Sequence, residues 1–196
     1  MSSSVARLPS TIPPLDAVPA IRHPNAPLPG ELIPSHFAQC FGCGQDHPTG
    51  LRLIAIAGVG ASVTATFTVT EHHQGAPGLA HGGILSLAFD ETLSSLMWLL
   101  RRPAVTARLE TDFLRPVPIG STLSITAEVT GVSNRKVYSK AEGRIGDGPP
   151  VVRAQALFVI VPMTHFLNAG SQEHLDYVRA NPHLHASVDP DFEVNP

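Results

Sequence analysis

Residues 81–91, HGGILSLAFDE, place a histidine, two glycines and two acids in a stretch that otherwise reads as an apolar helix. Gly82 and Gly83 stand where that helix begins. The first turn of a helix leaves its N–H groups without intrahelical partners, and the positive end of the macrodipole lies behind them. Such a terminus can hold an oxygen that gains negative charge as its carbonyl is attacked. Glycines there let a carbonyl come close to the backbone, at some cost in helix propensity. The same pair would also serve a helix that simply starts in a tight turn. Asp90 supplies the second half of the chemistry, because a carboxylate among apolar residues is costly and needs a reason. It can attack a carbonyl as nucleophile or take a proton from water as general base. The residues leave both roles open, beside the plainer reading of an acid bonded to Ser86, Ser94 or a neighbouring sheet.

Gly82 and Asp90 are eight positions apart, which is about 12 Å along a helix. One reacting carbonyl cannot touch both. The spacing works if helices from two copies lie side by side and antiparallel, so that Gly82 of one faces Asp90 of the other and a homodimer owns two shared sites. Glu91 lies in the same run, but it points about 100° around the helix from Asp90, so only one of the two faces a common substrate. His81, at the N-cap edge, either bonds the substrate or ties down the loop. Asn134, Arg135 and Lys136 open a strand at a turn, where the basic pair either grips phosphates or forms an ordinary solvated turn. Arg101 and Arg102 sit at a helix C-terminus, where cations are favoured in any case.

The elements that must position these groups can be read from periodicity. Residues 1–34 carry eight prolines and form an extended arm, read either as a disordered tail or as a strap that wraps a partner subunit or lids a site. Leu51 to Ile56 and Ser62 to Val69 alternate and form a hairpin about Gly58 and Gly60. From Gly82 to Leu100 the apolar positions surround the helix, which predicts burial on all sides. Four more strands follow, Ala104 to Leu114, Thr122 to Val132, Lys136 to Ile145 and Val151 to Val161, joined by short turns that make the sheet antiparallel. The expected architecture is α+β, a strongly curved sheet of five to six strands wrapped around one long helix, over residues 35–163. Residues 164–196 form an appendage with one short helix, about Gln172 to Arg179.

Composition excludes several classes. A net charge of −3, from 13 basic and 16 acidic residues, gives no basic surface for nucleic acid. Ser86, Asp90, Glu91 and Ser94 break the longest apolar run, which argues against a membrane span. The N-terminus does not read as a signal peptide, and two cysteines fit a reducing compartment, so a cytoplasmic protein is expected.

Several motifs, taken in order, resemble a known family. They are CFGCG at 40–44, HPTGLRL at 47–53, QGAPGLAHGG at 74–83, the acid Asp90 nine residues after His81, FLRPVPIGSTL at 113–123 and NRKVY at 134–138. Together they resemble the hotdog-fold acyl-CoA thioesterases, in the branch similar to the phenylacetate-pathway enzymes. The resemblance implies hydrolysis of an acyl-CoA thioester by a homodimer or a dimer of dimers, with no metal and no cofactor beyond the coenzyme A of the substrate. It implies Asp90 rather than Glu91 as the acid, Gly82 as the oxyanion donor, and Thr106 as the group that holds the attacking water or steadies the acid, with His81 alongside. Gly83 and Gln74 become substrate contacts, and Glu91, Asn134, Arg135 and Lys136 complete the candidate binding residues. A non-catalytic acyl-CoA-binding module of the same fold is the alternative.

One departure from the family is visible. His36, Cys40, Cys43 and His47 offer four zinc-ligand types within twelve residues, whereas the CFGCG segment generally lacks flanking histidines. One cysteine pair without a second is a weak metal signal, so a packed turn is expected here.

Overall fold

The computed structural model describes residues 9–162 and 164–181. Its elements are β1 (Leu32–Ile33), β2 (Ile54–Ala57), β3 (Ser62–Thr68), a small hairpin of β4 (Gln74–Ala76) and β5 (Leu79–Ala80), α1 (Gly82–Ser94), α2 (Leu96–Leu100), β6 (Ala104–Phe113), β7 (Thr122–Ser133), β8 (Lys136–Ile145), β9 (Val152–Ile160), α3 (Thr164–Ala169) and α4 (Gln172–Ala180). The period-two pattern does what it predicts. In β3 the buried side chains are Val63, Ala65 and Phe67, and in β7 Leu123, Ile125 and Ala127, all turned to one face.

The main sheet runs β1-β2-β3-β7-β8-β9-β6, with every neighbouring pair antiparallel. It therefore has seven strands rather than five or six. The seventh is β1, which comes from the proline-rich segment: Leu32 and Ile33 lie between Pro29 and Pro34 and pair with Ile56 and Ala55. Further contacts seat the rest of that segment. Thr11 is buried and donates to Glu110 Oε2 at 2.6 Å, Val18 bridges to Val132, and the Arg22 guanidinium donates to the Gly58 carbonyl at 2.6 Å. The C-terminal region forms two helices, α3 and α4, where one was expected, and residues 182–196 lie outside the described residues.

The central helix differs from expectation in two ways. First, it is interrupted at Ser95 into α1 and α2. The hydroxyls of Ser94 and Ser95 both donate to the Glu91 carbonyl at 2.9 Å, where the Ser95 N–H also bonds, and this local competition disturbs the regular ladder. Arg101, in the left-handed conformation (φ 50°), then closes α2 with its N–H on the Met97 carbonyl. Second, the helix is not buried on all sides. Leu85, Ala88, Phe89, Thr92 and Leu93 are buried, while Ile84, Ser86, Leu87 and Asp90 are only half-buried. One curved sheet can cover one side of a helix, and among the described residues the other side of α1 is only partly covered.

By length and composition alone the 19 residues Gly82–Leu100 would also suffice to cross a membrane, which the sequence reading did not allow for. Here their buried face packs on the chain's own sheet, 56% of the span being buried. The tightest seat is under Phe89, whose ring lies over the bare backbone of Gly143 in β8; a Cβ there would stand 2.8 Å from Phe89 Cζ. Replacing Phe89, which is fully buried, with alanine removes the side chain that fills this seat. Phe89→Ala should lower unfolding free energy by about 3–5 kcal/mol in urea or guanidinium titration, and a loss under roughly 1 kcal/mol would show that α1 is not anchored there.

Candidate functional site

The proposed acid meets a partner supplied by the far end of the sheet. Thr106, near the start of β6, donates its hydroxyl to Asp90 Oδ1 at 2.8 Å. Among the described residues strand β6 pairs only with β9, on one side, and is the edge of the sheet. Its register slips between Thr106 and Arg108, leaving Ala107 as an extra residue. A bulge of this kind bends the strand locally and re-aims neighbouring side chains. Burial pushes the Asp90 carboxyl above its ordinary value, and the hydroxyl of Thr106 partly offsets that rise. A carboxylate that is partly desolvated and held by one donor is suited to receive a proton or to attack an acyl carbon.

The head of α1 is built by the β4–β5 hairpin. Gln74 accepts a hydrogen bond from the Gly78 N–H at 2.9 Å, which closes the turn where Gly78 takes a φ of 76°. Gln74 thus braces the hairpin in this chain. Gly75 lies against His81, where a Cβ would come within 2.6 Å of His81 Cα, and the His81 N–H bonds the carbonyl of buried His73 at 2.8 Å. Held this way, His81 is the N-cap of α1, and its Nδ1 accepts from the Gly83 N–H at 2.9 Å. The two glycines therefore have different surroundings. Gly83 is occupied by its cap, and a Cβ there would press on the imidazole at 3.0 Å. At Gly82 a Cβ would make only ordinary contact with Phe113, 3.4 Å away. Phe113, at the end of β6 and 53% exposed, was not among the sequence candidates, although FLRPVP marks its position.

Asn134 and Arg135 form the β7–β8 turn, with Asn134 at a φ of 54°, and Lys136 opens β8. Lys136 pairs with Val159, which pairs with Val105, the neighbour of Thr106. The basic turn and Thr106 thus sit at the same end of the sheet, roughly 10 Å apart across two strand spacings. A groove of about 990 Å³ lies elsewhere, lined by Glu110, Thr126, Lys140 and Arg153 among others, with neither Asp90 nor Gly82 in its wall.

Glu91 is placed away from Asp90. One residue further round the helix it turns to the segment before β2, where Cys40 Sγ lies 3.7 Å from its Oε2. His36 Nδ1 and Cys43 Sγ are 3.2 Å apart in the same group. Burial and the nearby Cys40 push the Glu91 carboxyl up to about 7. The Cys40 thiol is drawn down to about 3, chiefly by its hydrogen bond from Cys43, while Cys43 is raised by the same bond and by burial. His47, the fourth member of the sequence grouping, instead packs edge-on against Phe41 with ring centres 4.7 Å apart. Glu91 takes its place, although it lies 51 residues from Cys40. The signals in the sequence were an acid in an apolar helix and the glycine between the cysteines.

Residues 77–152 match the family model described as Thioesterase superfamily. Among curated relatives, the chain is 31% identical over 87 residues to acyl-coenzyme A thioesterase THEM4 of Xenopus laevis, a stretch that is 44% of this chain and 39% of that protein. The chain thus spans about two fifths of that relative's length. Among solved structures, a thioesterase superfamily protein superposes with a TM-score of 0.58 at 29% identity, covering 61% of this chain and 62% of its own. The E. coli PaaI protein from the phenylacetic acid degradation operon superposes with a TM-score of 0.54 at 23% identity, covering 57% and 81%. The curved antiparallel sheet around a central helix is the hotdog fold of these neighbours.

Gly42 lets the Glu91 carboxylate sit between the cysteines, since a Cβ on Gly42 would overlap it. Gly42→Ala should therefore cost about 1–3 kcal/mol of stability, read as a lowered denaturant midpoint. An unchanged midpoint would mean that Glu91 is not seated against that loop.

Proposed function

We propose, for a chain whose residues 77–152 match the family model described as Thioesterase superfamily, that it is a thioesterase and hydrolyses an acyl-CoA thioester to the free acid and CoA. The observation that carries this reading is the Thr106 hydroxyl on Asp90 at 2.8 Å, on the face of α1 that its own sheet leaves open. The name of the THEM4 relative points to acyl-CoA as the substrate class.

The reaction needs three things at one carbonyl: a nucleophile, a sink for negative charge and a route for the leaving thiolate. Asp90 either attacks the acyl carbon directly or takes a proton from a water that does, with Thr106 fixing the carboxylate. The C–O bond forms, the carbonyl oxygen becomes anionic, and the C–S bond breaks as the carbonyl returns. The CoA thiolate then takes up a proton. In the direct route a water hydrolyses the acyl-aspartate in a second step. The helix N-terminus supplies the charge sink, with Gly82 as its open position because His81 already caps Gly83.

Gly82 and Asp90 of one helix stay about 12 Å apart, so the second component must come from another copy. Two features support a homodimer. Strand β6 is a ten-residue edge whose outer side has no partner strand among the described residues, and a long free edge invites pairing. Ile84 and Leu87 pack against the chain's own core yet stay only half-buried, and the part left exposed offers apolar surface to the helix of a second chain. In such a pair Gly82 of one subunit serves Asp90 of the other, and the Arg135–Lys136 turn grips the CoA phosphates.

Asp90→Asn should lower the rate of CoA release by roughly a hundredfold to ten-thousandfold while leaving acyl-CoA binding nearly unchanged. A wild-type chain that binds acyl-CoAs tightly but releases no CoA from any acyl or aryl class would favour the non-catalytic module instead. Mixing Asp90→Asn with Gly82→Val subunits should restore part of the activity in heterodimers, because one of the two sites then has both components intact. No recovery on mixing would mean that each subunit works alone.

A further inference from the structure

The group formed by His36, Cys40, Cys43 and Glu91 is separate from the proposed acyl site and the hydrolysis does not use it. Each residue offers one donor atom, and the four atoms lie within 4.8 Å of one another. We propose that this group is a structural zinc site, with two cysteine thiolates, the His36 imidazole and the Glu91 carboxylate as a closed set of four ligands.

Geometry is the first support. In a tetrahedral zinc centre with Zn–S near 2.3 Å, neighbouring sulfurs stand about 3.8 Å apart and mixed S–N and S–O pairs slightly less. Donor atoms that already fall inside 4.8 Å need little adjustment to reach that arrangement. A cavity of about 30 Å³ adjoins the group, with His36, Cys43, Glu91, Ser94 and Ser95 in its wall and Cys40 just outside it, so there is space beside the donor atoms. The backbone makes room in the same place, because side chains at Gly42 and Gly44 would collide with Glu91 and with the turn at Cys40.

Chemistry selects the ion. Thiolates and an imidazole favour zinc over magnesium or calcium, and two cysteines are too few for a four-cysteine iron–sulfur cluster. A divalent cation bound among two cysteines and a carboxylate takes them in their deprotonated form and offsets the charge they then carry in one half-buried spot. The Ser35 hydroxyl, 3.3 Å from Cys43 Sγ, donates to one ligand from outside the shell, as supporting groups around metal ligands do. The ion would tie the loop before β2 to α1 at the residue next to Asp90. Its role is to fix that turn of the helix, with no open coordination position for substrate.

The test is metal analysis of the full chain purified without chelator. About one zinc per chain is expected by mass spectrometry of the elements. The zinc content should fall more than roughly tenfold in Cys43→Ser and in Glu91→Gln and stay unchanged in His47→Ala. If a ligand variant does not fold, the wild-type chain decides the matter: stripped and reloaded with cobalt(II), it should develop thiolate-to-cobalt charge transfer and tetrahedral cobalt absorption. It should also gain thermal stability when zinc is added. A wild-type chain that, with its cysteines reduced, neither retains nor takes up zinc or cobalt overturns the proposal. Zinc content that depends on His47 but not on Glu91 overturns it as well.

Discussion

Enclosing an apolar helix in the concave face of a single sheet is the constraint on which the rest of this structure depends. Phe89, Leu93, Leu96 and Leu99 need cover on the sheet side, and the helix packs there against β3, β6, β7, β8 and β9, with Gly143 left bare to admit the Phe89 ring. A sheet that curves around one side cannot also close the other. The uncovered stripe holds Ile84, Leu87 and Asp90, and it borders the free edge of β6. The half-buried state of Asp90 follows from that partial cover, and its bond to Thr106 comes from the edge strand that closes over this side of the helix.

Two adjacent acids show how finely this divides space. Asp90 and Glu91 are neighbours in the chain, yet about 100° of helix rotation sends one to the sheet edge and the other under the loop at 36–43. Both are raised by burial, but their company differs. Asp90 has one hydroxyl donor, while Glu91 has two thiols and an imidazole. The cluster around Glu91 braces the same helical turn that presents Asp90 to the open side.

Much of this was legible in residue order. Gly82 and Gly83 ahead of an apolar run signalled the head of α1, and alternating runs marked β3 and β6 to β8, with a nearly continuous apolar run marking β9, each within a residue or two. The distinction between the two glycines was not legible, because it depends on the His81 ring turning back onto the Gly83 N–H. Gln74 read as a substrate contact by its position, and that its amide oxygen also closes the β4–β5 turn was not legible. The interruption at Ser95 was hidden too, since serine is an ordinary helix-surface residue until two hydroxyls converge on one carbonyl.

What the sequence determined by itself was local period and residue chemistry: strand and helix phases, the glycine head, and the eight-residue spacing that no single site can span. Those properties are set by near neighbours along the chain, where backbone geometry is nearly invariant. Only the tertiary structure decided which distant groups meet. It brought Leu32 and Ile33 onto the sheet as a seventh strand, set Thr106 on Asp90, and replaced His47 by Glu91 beside the two cysteines. Sheet closure fixes such meetings, because strand order and curvature carry residues far apart in sequence to one place, and no short window of residues encodes that path.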